Sequence, residues 1–148
     1  MADRSYVAEN DRERRRLEAL VGKLDDAALS RAMPAGWTVA AVLAHLAFWD
    51  QRIVVVGELL RRGAPVPMAD AGNVDWINDA AKPAQLALPP RRAATLAVEA
   101  ARAADQAVAT LSDEWLAKNA AAGGPINLLR AEHRREHLDA IEHVLARG

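Results

Sequence analysis

Two histidines near the end of the chain, His133 and His137, are four residues apart and are the first candidates for metal chemistry. On a helix, side chains at i and i+4 share one face with Cβ atoms about 5–6 Å apart, so two imidazoles can bind one ion through bonds of about 2.0–2.1 Å. A third ligand must then come from another segment. His45, in an earlier apolar stretch, is the best placed of the other histidines. The sequence therefore predicts a three-histidine metal site.

Three neutral imidazoles with an open position match the ligand count of a catalytic zinc-type site, and nickel, iron and manganese are further candidates. A metal with open positions acidifies water or a thiol, which yields hydroxide or thiolate for attack on an electrophile. The histidine pattern selects neither reaction. It disfavours a metalloprotease, because Glu136 directly precedes His137 and the His-Glu-x-x-His order is not met. The alternative is that His133 and His137 are partly buried helix residues hydrogen-bonded to their neighbours.

Other residues near His45 are candidates for lining a pocket. Trp49 follows it by one helical turn and Arg52 by two, on nearly the same side of the helix. Trp49 could form a wall of the pocket and Arg52 could bind an anionic substrate, although packing and surface solvation are the commoner roles of such residues. His143 points away from His133 on the helical wheel and is predicted to be solvated.

The elements that must position these side chains are predicted from apolar periodicity and from helix start and stop signals. Thr38 is a good N-cap for the helix that carries His45. Residues 63–90 are predicted to form a long crossover with a short helix at 73–78, and a loop is expected around 112–115. The apolar stripe of the last helix is expected to include Ile126. The four main helices are predicted at about 5–24, 38–62 and 91–111, and from the breaker Gly123-Gly124-Pro125 to about residue 146.

Composition supports an all-α fold, because alanine, leucine and valine dominate the apolar residues and aromatics are 4% of the chain. With 148 residues, 51% of them hydrophobic, a single domain over 1–148 is expected. Four main helices with a long crossover between the second and third suggest a four-helix bundle, a fold that commonly holds metal sites between facing helices.

Charge and cysteine content exclude several function classes. A formal charge of -1 and a pI near 6.4 argue against nucleic-acid binding. We expect no membrane span and a cytoplasmic location, since neither an apolar run of eighteen residues nor a signal peptide is seen. The chain has no cysteine, so any thiol chemistry would use a thiol from a separate molecule.

Three segments together resemble the DinB/YfiT-like superfamily of metal-binding four-helix bundles, which includes the amino-terminal domain of mycothiol-dependent maleylpyruvate isomerase. The resemblance covers nearly the whole chain. It implies a DinB-like bundle with a divalent metal on His45, His133 and His137. The three segments are Gly36-Trp37-Thr38-Val39 leading into Val42-Leu43-Ala44-His45-Leu46, then Val74-Asp75-Trp76-Ile77-Asn78, and His133-x-x-x-His137-Leu138.

The resemblance also implies a function, a metal-dependent thiol S-transferase in detoxification that takes a small-molecule electrophile. Zinc and nickel are the favoured ions, with iron and manganese left open, and mycothiol or another small thiol is the implied cosubstrate. The isomerase reaction itself is not transferred, because no separate carboxy-terminal domain follows the bundle. The alternatives are a metal-dependent hydrolase and a non-catalytic bundle that binds or sequesters a small molecule. Bundles of this kind commonly pair, so a homodimer is expected.

Overall fold

A computed structural model describes residues 2–66 and 74–148. Over these residues the chain is all-helical, which confirms the predicted fold class. A short 3-10 turn, Pro34–Gly36, precedes the third helix. The α-helices of the described residues are α1 Tyr6–Lys23, α2 Asp26–Leu29, α3 Val39–Arg61, α4 Asp75–Ala87, α5 Pro90–Ala109, α6 Asp113–Ala121 and α7 Ala131–Ala146.

The four longest of these helices surround the core. Helix α5 packs against α1 and α3, and α7 packs against the same two helices from the other side. The contact between α3 and α5 is the most extensive, because α5 presents alanines whose small side chains let the two backbones approach closely. Apolar side chains from all four helices fill the space between them, including Leu17, Leu43 and Leu138, each 0% exposed. The buried alanines of α5 are Ala93, Ala94, Ala97, Ala100, Ala101 and Ala104.

Helix α3 carries His45 through the middle of the core. It begins as predicted, since the Thr38 hydroxyl accepts a hydrogen bond from the Ala41 N–H at 3.1 Å and caps the helix. Among the described residues, α3 is long and apolar enough by length and composition to cross a membrane. This is weak evidence for a span, because 67% of its apolar window is buried inside the protein, as in the core helix of a soluble protein.

The predicted crossover contains a longer helix than the sequence indicated. Helix α4 starts at Asp75 and continues through Pro83 to Ala87, whereas the predicted helix ended at residue 78. The proline costs one backbone hydrogen bond, and the alanines on both sides of it favour helix. Residue 73, the first residue of the predicted short helix, lies outside the described residues.

The segment before the last helix also differs from the prediction. Where a loop was expected, the Ser112 hydroxyl accepts a hydrogen bond from the Trp115 N–H at 3.2 Å and starts α6. Ile126 is buried but precedes α7, which begins at Ala131, so its assignment to the last helix was wrong. The reason is a pair of hydrogen bonds between the side-chain amide of Asn119 and the Ile126 backbone, at 2.9 and 3.1 Å, which hold this segment in a loop.

Candidate metal centre

The three predicted histidines meet between two helices. His45 lies on α3, and His133 and His137 lie one turn apart on α7. The Nε2 atom of His133 is 3.1 Å from Nε2 of His45 and 3.2 Å from Nε2 of His137. All three rings therefore direct a nitrogen into one cluster, in which the candidate ligand atoms lie within 4.8 Å of one another.

The spacing of these nitrogens fits a metal ion. Two nitrogens bound tetrahedrally at about 2.0–2.1 Å are separated by about 3.3–3.4 Å, close to the separations of His133 Nε2 from the other two Nε2 atoms. Hydrogen bonding alone accounts for the cluster poorly, because His133 Nε2 cannot make a good hydrogen bond to both neighbours at once. A cation that accepts all three lone pairs satisfies the three Nε2 atoms together.

Burial keeps the rings in the neutral form that a metal requires. Desolvation, reinforced by the neighbouring His137, lowers the pKa of His45 to about 4. Desolvation and the charges of His137 and His45 lower the pKa of His133 to about 3. Desolvation also lowers the pKa of His137, against a raising effect of the exposed Glu136. At neutral pH the cluster thus offers three unprotonated nitrogens without competition from protons.

Aromatic packing helps to fix the orientation of His45. Its Nδ1 atom is buried and has no hydrogen-bond partner in the described part of the chain, so packing rather than a hydrogen bond holds the ring. The Trp37 ring lies edge-on to it with centroids 5.8 Å apart. Lys82 of α4 in turn lies over the Trp37 ring at 5.0 Å and donates a hydrogen bond to the Ala35 carbonyl. The turn before α3 is thereby held against the site.

An open cleft of about 1210 Å³ leads to the histidines. Trp49 and Arg52, the two predicted pocket residues, both line it. Trp49 donates a hydrogen bond from its indole nitrogen to Asn78 Oδ1 at 2.8 Å, which joins the wall to α4. His143 is exposed, in agreement with its predicted solvation. The site combines three candidate metal ligands with space for a small molecule beside them.

Sequence reasoning missed a buried ionic network directly behind the site. Arg134, next to His133 in the chain, is 0% exposed and forms ion pairs with Asp50 of α3 and Asp105 of α5. Arg130, one turn before His133, binds the other oxygen of Asp50 at 3.0 Å. This network joins α3, α5 and α7 at the level of the histidines.

A comparison with known protein families identifies the family of this chain. The family model described as the DinB superfamily matches residues 9–145, which is nearly the whole chain. The chain belongs to the DinB superfamily. Searches of curated proteins and of solved structures gave no match. In this DinB-superfamily chain, the histidines that the resemblance indicated are the ones that converge, whereas their role as ligands stays a prediction.

Proposed function

We propose that this chain is a metal-dependent thiol S-transferase built on a DinB-like four-helix bundle with a crossover that contains α4. The observation that carries the proposal is the convergence of three Nε2 atoms, from His45, His133 and His137, at the inner end of an open cleft. A divalent ion, with zinc or nickel favoured, would lower the pKa of a thiol held there so that thiolate forms near neutral pH. The electrophilic substrate, the homodimer, the single domain and the cytoplasmic location stay predictions.

The protein's own residues supply what such a reaction needs around the ion. The three rings are neutral and preorganised, since each comes from a helix that is packed into the core. Helix α4 and the turn at Trp37 also line the cleft. With a volume of about 1210 Å³, the cleft has room for a small thiol and an electrophile together.

Because the chain lacks cysteine, a thiol that reacts here would have to be a separate molecule. No side chain of this protein can act as a thiolate nucleophile, because the sequence contains no cysteine. An attacking sulfur must therefore enter the cleft with a second molecule. Mycothiol or another small thiol would fill this role, and the reaction would join its sulfur to the electrophile with loss of a leaving group.

Metal content is the first test. Protein purified without a nickel column should hold close to one equivalent of a divalent metal, and the double variant His133→Ala/His137→Ala should hold none. His143→Ala is the matched control, since this histidine lies on the same helix but is exposed, and it should keep the metal. Absence of metal from the parent protein, after incubation with zinc or nickel, would overturn the proposal.

Thiol dependence is the second test. The loaded protein should conjugate a chromogenic electrophile only when a small thiol such as mycothiol is present. Turnover of an amide or ester without thiol would instead indicate a hydrolase. A loaded protein that accelerates neither reaction would be a binding bundle.

A further inference from the structure

Two arginines line the cleft beyond the histidines, and one of them is deeply buried. Arg130 is 5% exposed and donates from Nε to Asp50 Oδ1 at 3.0 Å. Within residues 2–66 and 74–148 this is the only hydrogen bond that the Arg130 side chain donates, so its two terminal amino groups have no partner among these residues. Neither amino group is among the fully buried polar atoms that lack a partner, so both reach the solvent of the cleft, where an anionic group can replace water.

The nearby carboxylates are committed to other groups. The second oxygen of Asp50 accepts a hydrogen bond from Arg134 Nη2 at 3.2 Å. Both oxygens of Asp105 accept from Arg134, and one also accepts from Arg14 at 2.8 Å. The network therefore holds Arg130 by one side of its guanidinium and leaves the other side available.

Arg52 adds a second cation to the same cleft. It is partly buried, and its Nη1 lies 3.4 Å from the Pro125 carbonyl oxygen. Among the described ranges 2–66 and 74–148, no carboxylate lies within 4.0 Å of its nitrogens. The acidic residues that line the cleft are exposed ones on α4 and α7, so solvent screens their negative charge. They are Asp75, Asp79, Glu132 and Glu136.

Helix geometry places both arginines on the same side of the histidine cluster. Arg52 follows His45 by seven residues on α3, which is about 10.5 Å along the axis. Arg130 precedes His133 by three residues and pairs with Asp50, which lies between His45 and Arg52 on α3. A molecule held at the histidines that extends along α3 would reach Arg130 first and then Arg52.

We propose that Arg130 and Arg52 form a carboxylate-binding subsite of this cleft. Guanidinium groups bind carboxylates through paired, charge-assisted hydrogen bonds, and the burial of Arg130 strengthens them. The inference deepens the proposed function, since it defines one of the two reactants as an anion. The carboxylate belongs either to the thiol or to the electrophile.

Metal-free protein tests the subsite independently of the transferase proposal. Butyrate and its neutral counterpart butyramide are titrated at constant ionic strength, with tryptophan fluorescence as the readout, since Trp49 lines the cleft. Butyrate should bind and butyramide should not. Arg52→Gln should weaken butyrate binding about tenfold. The matched control Arg62→Gln removes the same charge from the exposed end of α3 and should leave binding unchanged.

The variant Arg130→Lys tests the buried arginine of the subsite. The lysine keeps the positive charge opposite Asp50 but lacks the paired terminal amino groups, so butyrate binding should also fall about tenfold. Circular dichroism of each variant establishes that it is folded before it is titrated. If butyrate binds Arg52→Gln and a folded Arg130→Lys as tightly as it binds the control, or does not bind the parent at all, the subsite is excluded.

Cobalt-loaded protein identifies the source of the carboxylate. Here 3-mercaptopropionate is compared with 3-mercaptopropionamide through the sulfur-to-cobalt absorption band. If the acid binds more tightly than the amide, and Arg52→Gln abolishes this difference, the carboxylate belongs to the thiol. Equal binding of the two thiols, with butyrate still binding beside the amide, assigns it to the electrophile. Failure to take up cobalt would contradict the proposed function. The titration of metal-free protein would then test the subsite by itself.

Discussion

Arg134 and Asp105 form a buried bidentate ion pair, from Nη1 to Oδ2 at 3.0 Å and from Nη2 to Oδ1 at 2.7 Å. The pair joins α7 to α5, and a further bond from Nη2 to Asp50 joins α7 to α3. Since Arg134 follows His133 directly, these bonds fix the helix that carries two of the three histidines. The network therefore positions the candidate metal centre as well as stabilising the fold.

Replacing Arg134 should be among the most destabilising changes in this protein. Arg134→Met leaves the carboxylates of Asp50 and Asp105 buried with fewer partners, so the free energy of unfolding should fall by about 3–5 kcal/mol. Urea denaturation measures it. The neighbouring Arg135→Met is the control: its pairs with Glu9 and Glu13 are partly exposed and Arg16 still pairs with Glu13, so the loss should stay below about 1 kcal/mol. Equal losses would show that the network contributes no special stability.

The histidine cluster could be predicted because it depends on short-range features of the sequence. The i, i+4 spacing of His133 and His137 fixes their common face, and the apolar surroundings of His45 turn it towards the core. The same reasoning located the start of α3 from the Thr38 cap. Helix α5, predicted from about residue 91, begins at Pro90, a residue type that favours the first helical turn. Predicting the full cluster required only one correct assumption about packing, that α3 lies against α7.

The ionic network escaped prediction because it depends on the relative register of three helices. One signal was present: Arg134 precedes Leu138 by four residues and Ile141 by seven, so the charge lies on the apolar stripe of α7. A charged residue there must find a buried partner. The sequence alone does not say which of the many acidic residues supplies it, and Asp50 and Asp105 are found only once the helices are packed.

Metal should stabilise the folded chain in proportion to the logarithm of its concentration. At about one hundred times the dissociation constant, one site that is absent from the unfolded chain contributes about 2.7 kcal/mol. Zinc should therefore raise the melting temperature of the parent and of His143→Ala, and excess chelator should reverse the rise. The melting temperature of the variant His133→Ala/His137→Ala should be the same with and without zinc. A rise in that variant would place the metal elsewhere.

Acid should weaken the metal-free protein through the histidine cluster. Burial lowers the pKa of His133 from 6.5 to about 3, so between these values the unfolded chain binds a proton here that the folded chain does not. Stability is therefore lost as pH falls below about 6.5. With chelator present, the parent should lose more free energy of unfolding between pH 7 and pH 4.5 than His133→Gln does. His143→Gln should lose as much as the parent, and identical losses in all three proteins would contradict the assignment.

The bond between Trp49 and Asn78 should control how firmly α4 closes the side of the cleft. Asn78→Ala leaves the part-buried indole N–H without its partner at 2.8 Å, which should cost about 1 kcal/mol. Because α4 packs chiefly against α3, the effect should stay local: amide exchange of residues 75–87 accelerates while that of α5 is unchanged. Asp79→Ala, an exposed change on the same helix, should leave the exchange of α4 as it is in the parent. Faster exchange in both variants would assign the effect to the helix itself rather than to its bond with Trp49.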